Sequence, residues 1–183
     1  MTPKLGVEAA ALIDGNVRLV PDFPSEGVLF RDITPLFANG KDFARLIQLL
    51  GERYSGKVDM VAGLESRGFI LAAPLAAELG IGMIAVRKAG KLPGPVIGVD
   101  YSLEYGKARL EVQPEGVPKG SEVLVLDDVL ATGGTARACV DLIEQCGASV
   151  FEVAVLMELI DLGGAQRLKN VPLVTGVQVK EDQ

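Results

Sequence analysis

Residues 123–136 read VLVLDDVLATGGTA, and this stretch decides the fold. Glu122 to Leu126 has the apolar, branched character of a buried strand. Two adjacent carboxylates, Asp127 and Asp128, stand at its carboxyl end. Thr132, Gly133, Gly134 and Thr135 form a turn, and a helix is expected from there to Gly147 with Ala136, Cys139, Val140 and Ile143 along one face. The first backbone N–H groups of such a helix lack intrahelical partners and lie at the positive end of its dipole. Glycines let a bound group approach closely and threonine hydroxyls add donors, so Thr132–Thr135 reads as a monophosphate cradle. Carboxylates beside it would repel that anion. Their natural work is to accept hydrogen bonds from the vicinal hydroxyls of a ribose. The plain alternative is an Asx-rich turn with a TGGT cap, but two carboxylates ending a buried strand cost stability without a partner. Neither a GxxxxGK[ST] nor a GxGxxG pattern occurs.

Working outward, the chain alternates helix and strand patterns. Phe43, Leu46, Ile47 and Leu50 keep helical spacing and predict an amphipathic helix over 41–54. Residues 58–63 (VDMVAG) read as a buried strand, and 68–79 as a buried helix kinked or restarted at Pro74. Residues 81–87 (IGMIAVR) read as a second strand, and 89–99 as a Gly/Pro loop. Residues 99–112 look like two short strands joined near Tyr105-Gly106. After the 123–136 unit come a strand over 150–156, a short helix containing Leu168, and a last strand over 173–179. This order makes an α/β fold, a mainly parallel sheet flanked by helices. Its ligand site should lie beyond the carboxyl ends of the strands, which selects loops 64–68, 88–98 and 127–135.

Composition narrows the chemistry. The 183 residues fit one domain, with 49% hydrophobic and 23% charged residues. There is no His, which removes Ser-His-Asp and Cys-His catalysis and His-ligated metals. The two cysteines, Cys139 and Cys146, are too few for a zinc ribbon or a disulfide scaffold and point to a reducing cytoplasm. The longest apolar run, Phe69 to Ala77, is far short of the ~20 residues of a membrane helix. A net charge of −6 and the lack of a basic run argue against a nucleic-acid partner. A small anion held in one local pocket fits both facts.

The 123–136 segment resembles the 5-phosphoribosyl-1-pyrophosphate (PRPP) motif of type I phosphoribosyltransferases. Four further blocks are similar to the adenine-specific branch of that family: DFPSEGVLFRDITPLF (22–37), GLESRGFILAAPLAAELG (63–80), VRKAGKLPGP (86–95) and YSLEYGKARLE (101–111). The similarity runs from about Asp22 to Leu159, while 1–20 and 160–183 match weakly. It implies a type I phosphoribosyltransferase-like fold in a single domain over 1–183, with a small base-binding hood from about 1–35 and a flexible hairpin lid from about 95–112. The implied reaction displaces pyrophosphate from C1 of PRPP by N9 of adenine, giving AMP. Magnesium would ride on the pyrophosphate and ribose oxygens with no direct side-chain ligand. A cytoplasmic homodimer is the implied assembly.

The resemblance also assigns residues. Asp127 and Asp128 would hold the ribose hydroxyls, and Ala131 to Thr135 the 5′-phosphate. Arg67, Lys88 and Lys91 would meet pyrophosphate, with Arg87 reaching a partner subunit's site. Phe30 would stack on adenine while backbone groups of Leu29 and Arg31 read its edge. Glu104 would approach N7 as the catalytic acid, and Tyr105 would close over the site. Plainer readings stand beside these: an Arg67–Glu65 surface pair, solvated Lys88 and Lys91, Phe30 as a core plug, and Glu104 as an exposed strand residue. Rival classes are a PRPP-sensing regulator and a phosphoribosyltransferase for a 6-oxo base.

Overall fold

The computed structural model describes residues 2–102 and 107–180. In chain order the elements are α1 (Val7–Asp14), β1 (Arg18–Pro21), β2 (Leu29–Asp32), α2 (Thr34–Ala38), α3 (Gly40–Tyr54), β3 (Met60–Leu64), α4 (Arg67–Leu79), β4 (Gly82–Lys88), β5 (Ile97–Ser102), β6 (Lys107–Val112), β7 (Glu122–Leu130), α5 (Gly134–Gln145), β8 (Ser149–Leu159) and β9 (Leu173–Val179). Short 3-10 turns cover Pro114–Gly116, Ile160–Leu162 and Gly164–Leu168.

Seven strands form one mixed sheet in the order β5-β6-β4-β3-β7-β8-β9. From β4 through β9 neighbouring strands are parallel, whereas β6 runs antiparallel to β4 and β5. The α/β expectation therefore holds, with an antiparallel hairpin added at one edge. The period of two along β7 divides the core. Leu124 and Leu126 pack in the cluster with Leu46, Leu50 and Leu71, from α3 and α4. Val123 and Val125 pack in the other, with Ala136, Cys139, Val140 and Ile143 of α5. Those four α5 residues are the face read from spacing.

The structure differs from the sequence reading at several points. Strand β7 continues past Leu126 to Leu130, because β8 keeps pairing with it: Asp127 faces Val155, Val129 faces Met157 and Leu130 faces Glu158. Residues 97–99, read as loop, belong to β5, where Ile97 and Val99 pair with Val112 and Leu110. Helix α4 runs on through Pro74 without a restart. The 99–112 hairpin is present, but its joint at 103–106 falls outside the described residues.

The remaining sheet is small. Strands β1 and β2 pair antiparallel, apart from the main sheet. Arg18 closes on Asp32 at 2.6 Å, and Asp32 also accepts from the N–H and hydroxyl of Thr34. Arg31 donates to the carbonyl of Lys180, tying this piece to the end of β9. Helix α1 takes another course: Leu5 N–H donates to Thr175 O, and Ala9 and Ile13 enter the main core. Of the first 35 residues, only 18–32 build the two-stranded sheet.

Candidate active site

The cleft opens beyond the carboxyl ends of β3, β4 and β7. Its cavity of about 590 Å³ is bordered by Glu65, Ser66, Arg67, Lys88, Tyr101, Asp127, Asp128, Ala131 and Thr135, among others. The β3–α4 junction sets its floor. Gly68, in the first turn of α4, lies so close to β7 that an added Cβ would stand 2.7 Å from the Leu126 carbonyl and 3.2 Å from Oδ1 of Asp127. That contact brings Arg67, the preceding residue, against the carboxylates.

Asp127 and Asp128 continue the alternation of β7. Asp128 meets α4: Oδ2 lies 2.5 Å from Nε of Arg67. The approach is off the hydrogen-bonding direction, so among the described residues this buried oxygen has an ion contact and no hydrogen bond. Asp127 borders both the main cleft and a smaller pocket formed by Leu130 to Gly133 and Thr135, and its charge is felt by Cys139 of α5. Oδ1 of Asp127 accepts from the N–H of Asp128. Burial, and then the charge of Asp128, push the Asp127 carboxyl well above the usual carboxylate range.

The cradle follows directly. Ala131 and Thr132 bend off β7, Gly133 adopts φ +78°, and α5 starts at Gly134. The positive φ suits glycine. Behind the bend stands Gly164, pressed on Ala131 O so closely that a Cβ there would collide with it, while a Cβ on Gly133 would meet Gly164 O at 2.5 Å. Gly164 was not singled out from the sequence, although the Gly163-Gly164 pair marks a close approach once noticed. Thr132 and Thr135 are half-buried beside the small pocket.

The cations separate. Glu65 receives Arg87 at 3.3 Å and the N–H of Lys88 at 2.9 Å. Burial alone would raise the Glu65 carboxyl, but Lys88 N–H, Arg87 and the charge of Lys91 outweigh it and hold it low. The Arg67–Glu65 pair considered from sequence is thus replaced by Arg87–Glu65 and Arg67–Asp128. Arg87 also lies over the Phe69 ring and donates to the Lys91 carbonyl. Lys88 is exposed at the rim. Lys91 is exposed on the following turn and does not border the cleft.

Phe30 lies on β2 with Phe23 edge-on at 5.1 Å. A slot of about 130 Å³ is lined by Val28 to Arg31 and by Val129, Met157 and Leu159, with Arg67 bordering it as well. The far wall escaped the sequence reading because aliphatic residues on β7 and β8 look like ordinary core. Glu104 and Tyr105 lie outside the described residues. Phosphate-sized pocket, carboxylate pair, cation rim and flat apolar slot therefore adjoin one another around Arg67 and Val129.

Residues 33–178 match the model of the phosphoribosyl transferase domain family. The adenine phosphoribosyltransferase of a Nocardioides species is 54% identical over 173 residues, covering 92% of this chain and 91% of the relative. The crystal structure of adenine phosphoribosyltransferase from Thermoanaerobacter pseudethanolicus superposes with a TM-score of 0.88 at 39% identity, over 93% of this chain and 99% of that one. The Saccharomyces cerevisiae enzyme, complexed with adenine and an imino-altritol bisphosphate, gives 0.86 at 42% identity over 91% and 97%. The adjoining pockets and these likenesses converge, and the chain belongs to the adenine phosphoribosyltransferases.

Proposed function

We infer that the protein transfers the 5-phosphoribosyl group of PRPP to adenine, forming AMP and pyrophosphate. The observation that carries this reading is the continuity of the cleft: anion cradle, carboxylate pair, cationic rim and apolar slot share lining residues, as the joined phosphate, ribose, pyrophosphate and base of this reaction require.

The backbone of Ala131–Thr135 and the first turn of α5 hold the 5′-phosphate. Asp127 and Asp128 accept the ribose hydroxyls and hold negative potential near a sugar whose C1 gains cationic character as the bond to pyrophosphate loosens. Arg67 and Lys88 receive the departing charge, and Lys91, on the exposed turn outside the cleft, adds its charge from a distance. Phe30 stacks on one face of adenine against Leu159 and Val129, with Leu29 and Arg31 backbone groups at its edge. This fixes N9 in line with C1, where orientation supplies much of the rate. Glu104 offers its carboxyl to N7 as N9 attacks, and Tyr105 covers the site.

Among the cleft carboxylates Glu65 meets Arg87, Asp128 meets Arg67 and Asp127 accepts from the Asp128 N–H, and among the described residues no cluster of three or more His, Cys, Asp or Glu is built to cage a metal. That donor set fits a magnesium ion carried on substrate oxygens, where it supplies Lewis-acid stabilisation of the leaving group. A homodimer with Arg87 turned toward the partner's site is supported by the apolar surface beside it, where Ile70 of α4 stands 43% exposed next to Phe69. The two free thiols favour a cytoplasmic location.

The test supplies PRPP and magnesium with adenine, hypoxanthine, guanine, xanthine or orotate in separate reactions and identifies nucleotide by chromatography. AMP from adenine alone, lost without PRPP, is expected. Product from a 6-oxo base instead overturns the slot assignment, and PRPP binding without product from any base favours a regulator.

A further inference from the structure

Arg67 sits where the subsites meet. Its Nε is 2.5 Å from Oδ2 of Asp128, and its guanidinium carbon lies 5.8 Å from the centroid of the Phe30 ring. It borders the main cleft and the slot as well. The other cations of the rim are differently disposed, with Arg87 on Glu65 and Lys88 exposed. Resting on the phosphoribosyl-transfer reading above, we propose that Arg67 is a latch: it occupies the ribose acceptor Asp128 and the face of Phe30 together, and pyrophosphate draws it off both.

The contact is built to open. Asp128 is deeply buried, but the Arg67 side chain is 37% exposed, and the off-axis approach leaves Oδ2 without a hydrogen bond. A phosphate group presents more charge and a better match to the planar guanidinium fork than one misaligned carboxylate oxygen. When the guanidinium turns to pyrophosphate, Asp128 loses its counter-ion and becomes a stronger acceptor as ribose hydroxyls arrive. Phe30 is uncovered in the same movement. A ligand shifts such an equilibrium only through its preference for one state, and both ends of PRPP prefer the open one. The two ends therefore bind with positive coupling, whereas two anions a few ångströms apart would otherwise repel.

Calorimetric titration with ribose 5-phosphate tests this, since that sugar carries the hydroxyls and the 5′-phosphate but no pyrophosphate to transfer. With saturating magnesium pyrophosphate, the wild-type protein should bind it more tightly by on the order of 3- to 10-fold. Equal or weaker binding overturns the latch. Arg67→Gln should bind ribose 5-phosphate alone more tightly than wild type by a similar factor, despite losing a positive charge from an anion site. Lys88→Gln removes a charge from the same rim without a pairing to Asp128 or Phe30, and should not tighten it. If Arg67→Gln binds equally or less tightly, or if Lys88→Gln tightens binding as much, the latch is wrong even where AMP synthesis is intact. If wild type binds no ribose 5-phosphate and makes no AMP, the activity reading falls and takes the latch with it.

Discussion

Glu152 and the Asp127–Asp128 pair lie near opposite ends of adjacent strands, β8 and β7, and their surroundings differ. Glu152 is saturated: the Tyr54 hydroxyl donates to it at 2.6 Å, and Arg53 Nη2 reaches both oxygens at 3.2 Å. Burial first, and then the hydrogen bond to Glu152, push the Tyr54 hydroxyl far up, so it stays a donor. Asp127 and Asp128 instead feel each other's charge, with one misaligned arginine against Asp128 and one backbone N–H on Asp127. A carboxylate that serves the fold is given its donors by the fold. One that serves a substrate is left short of them, and the shortage is made up on binding.

That contrast can be broken from either side. The largest effect is expected for Asp127→Asn combined with Asp128→Asn, which keeps shape and removes both charges. PRPP affinity, read by calorimetry, should fall by at least about 100-fold, as expected for losing two hydrogen bonds to charged acceptors. Unchanged affinity would remove the ribose assignment.

Glu152→Gln should do the reverse. Unfolding in denaturant should show a loss of about 1–3 kcal/mol, because the Tyr54 hydroxyl and Arg53 lose a charged acceptor. PRPP affinity should stay at the wild-type value. Loss of PRPP binding with full stability would mean that the two ends are coupled through the sheet and the comparison fails.

The smallest effect sharpens the comparison through pH. The native Asp127 carboxyl holds its proton to higher pH than the unfolded one, so between the two values the native state binds more protons. Its contribution to stability then falls as pH rises through that window. Asp127→Asn should therefore stabilise the ligand-free protein by about 0.5–2 kcal/mol at alkaline pH. The gain should shrink to nothing below the unfolded carboxylate's value. A gain independent of pH would place its origin outside this carboxyl.

Sequence and structure agree best where the signal is local. The run from Val123 to Ile143 was legible because a buried strand, an acidic pair and a glycine turn into an amphipathic helix each leave a short periodic mark. The ends were less so. Nothing within Asp127 to Leu130 says that the strand continues, since that depends on β8 lying alongside. The hood was hardest, with strands four residues long and mostly open to solvent in β1, so no alternation of burial shows. At the site, Asp127, Asp128, Arg67 and the cradle are brought together, whereas Lys91 stands apart from the cleft. Val129, Met157 and Leu159 looked like core, because the chemistry of an aliphatic wall appears only when its facing partner is known.

The glycine contacts carry a last implication. At Gly68 on Leu126, and at Gly164 on Ala131, main chain rests directly on main chain with no side chain between. The spacing of the backbone that carries the cradle, the carboxylates and Arg67 is thus set by main-chain contact rather than by rotamers. Side chains around this seam can be exchanged, and can jostle thermally, while the distances that matter to a rigid sugar phosphate stay put. The enzyme's ruler is its backbone, and variation in the surrounding core is free to serve other ends.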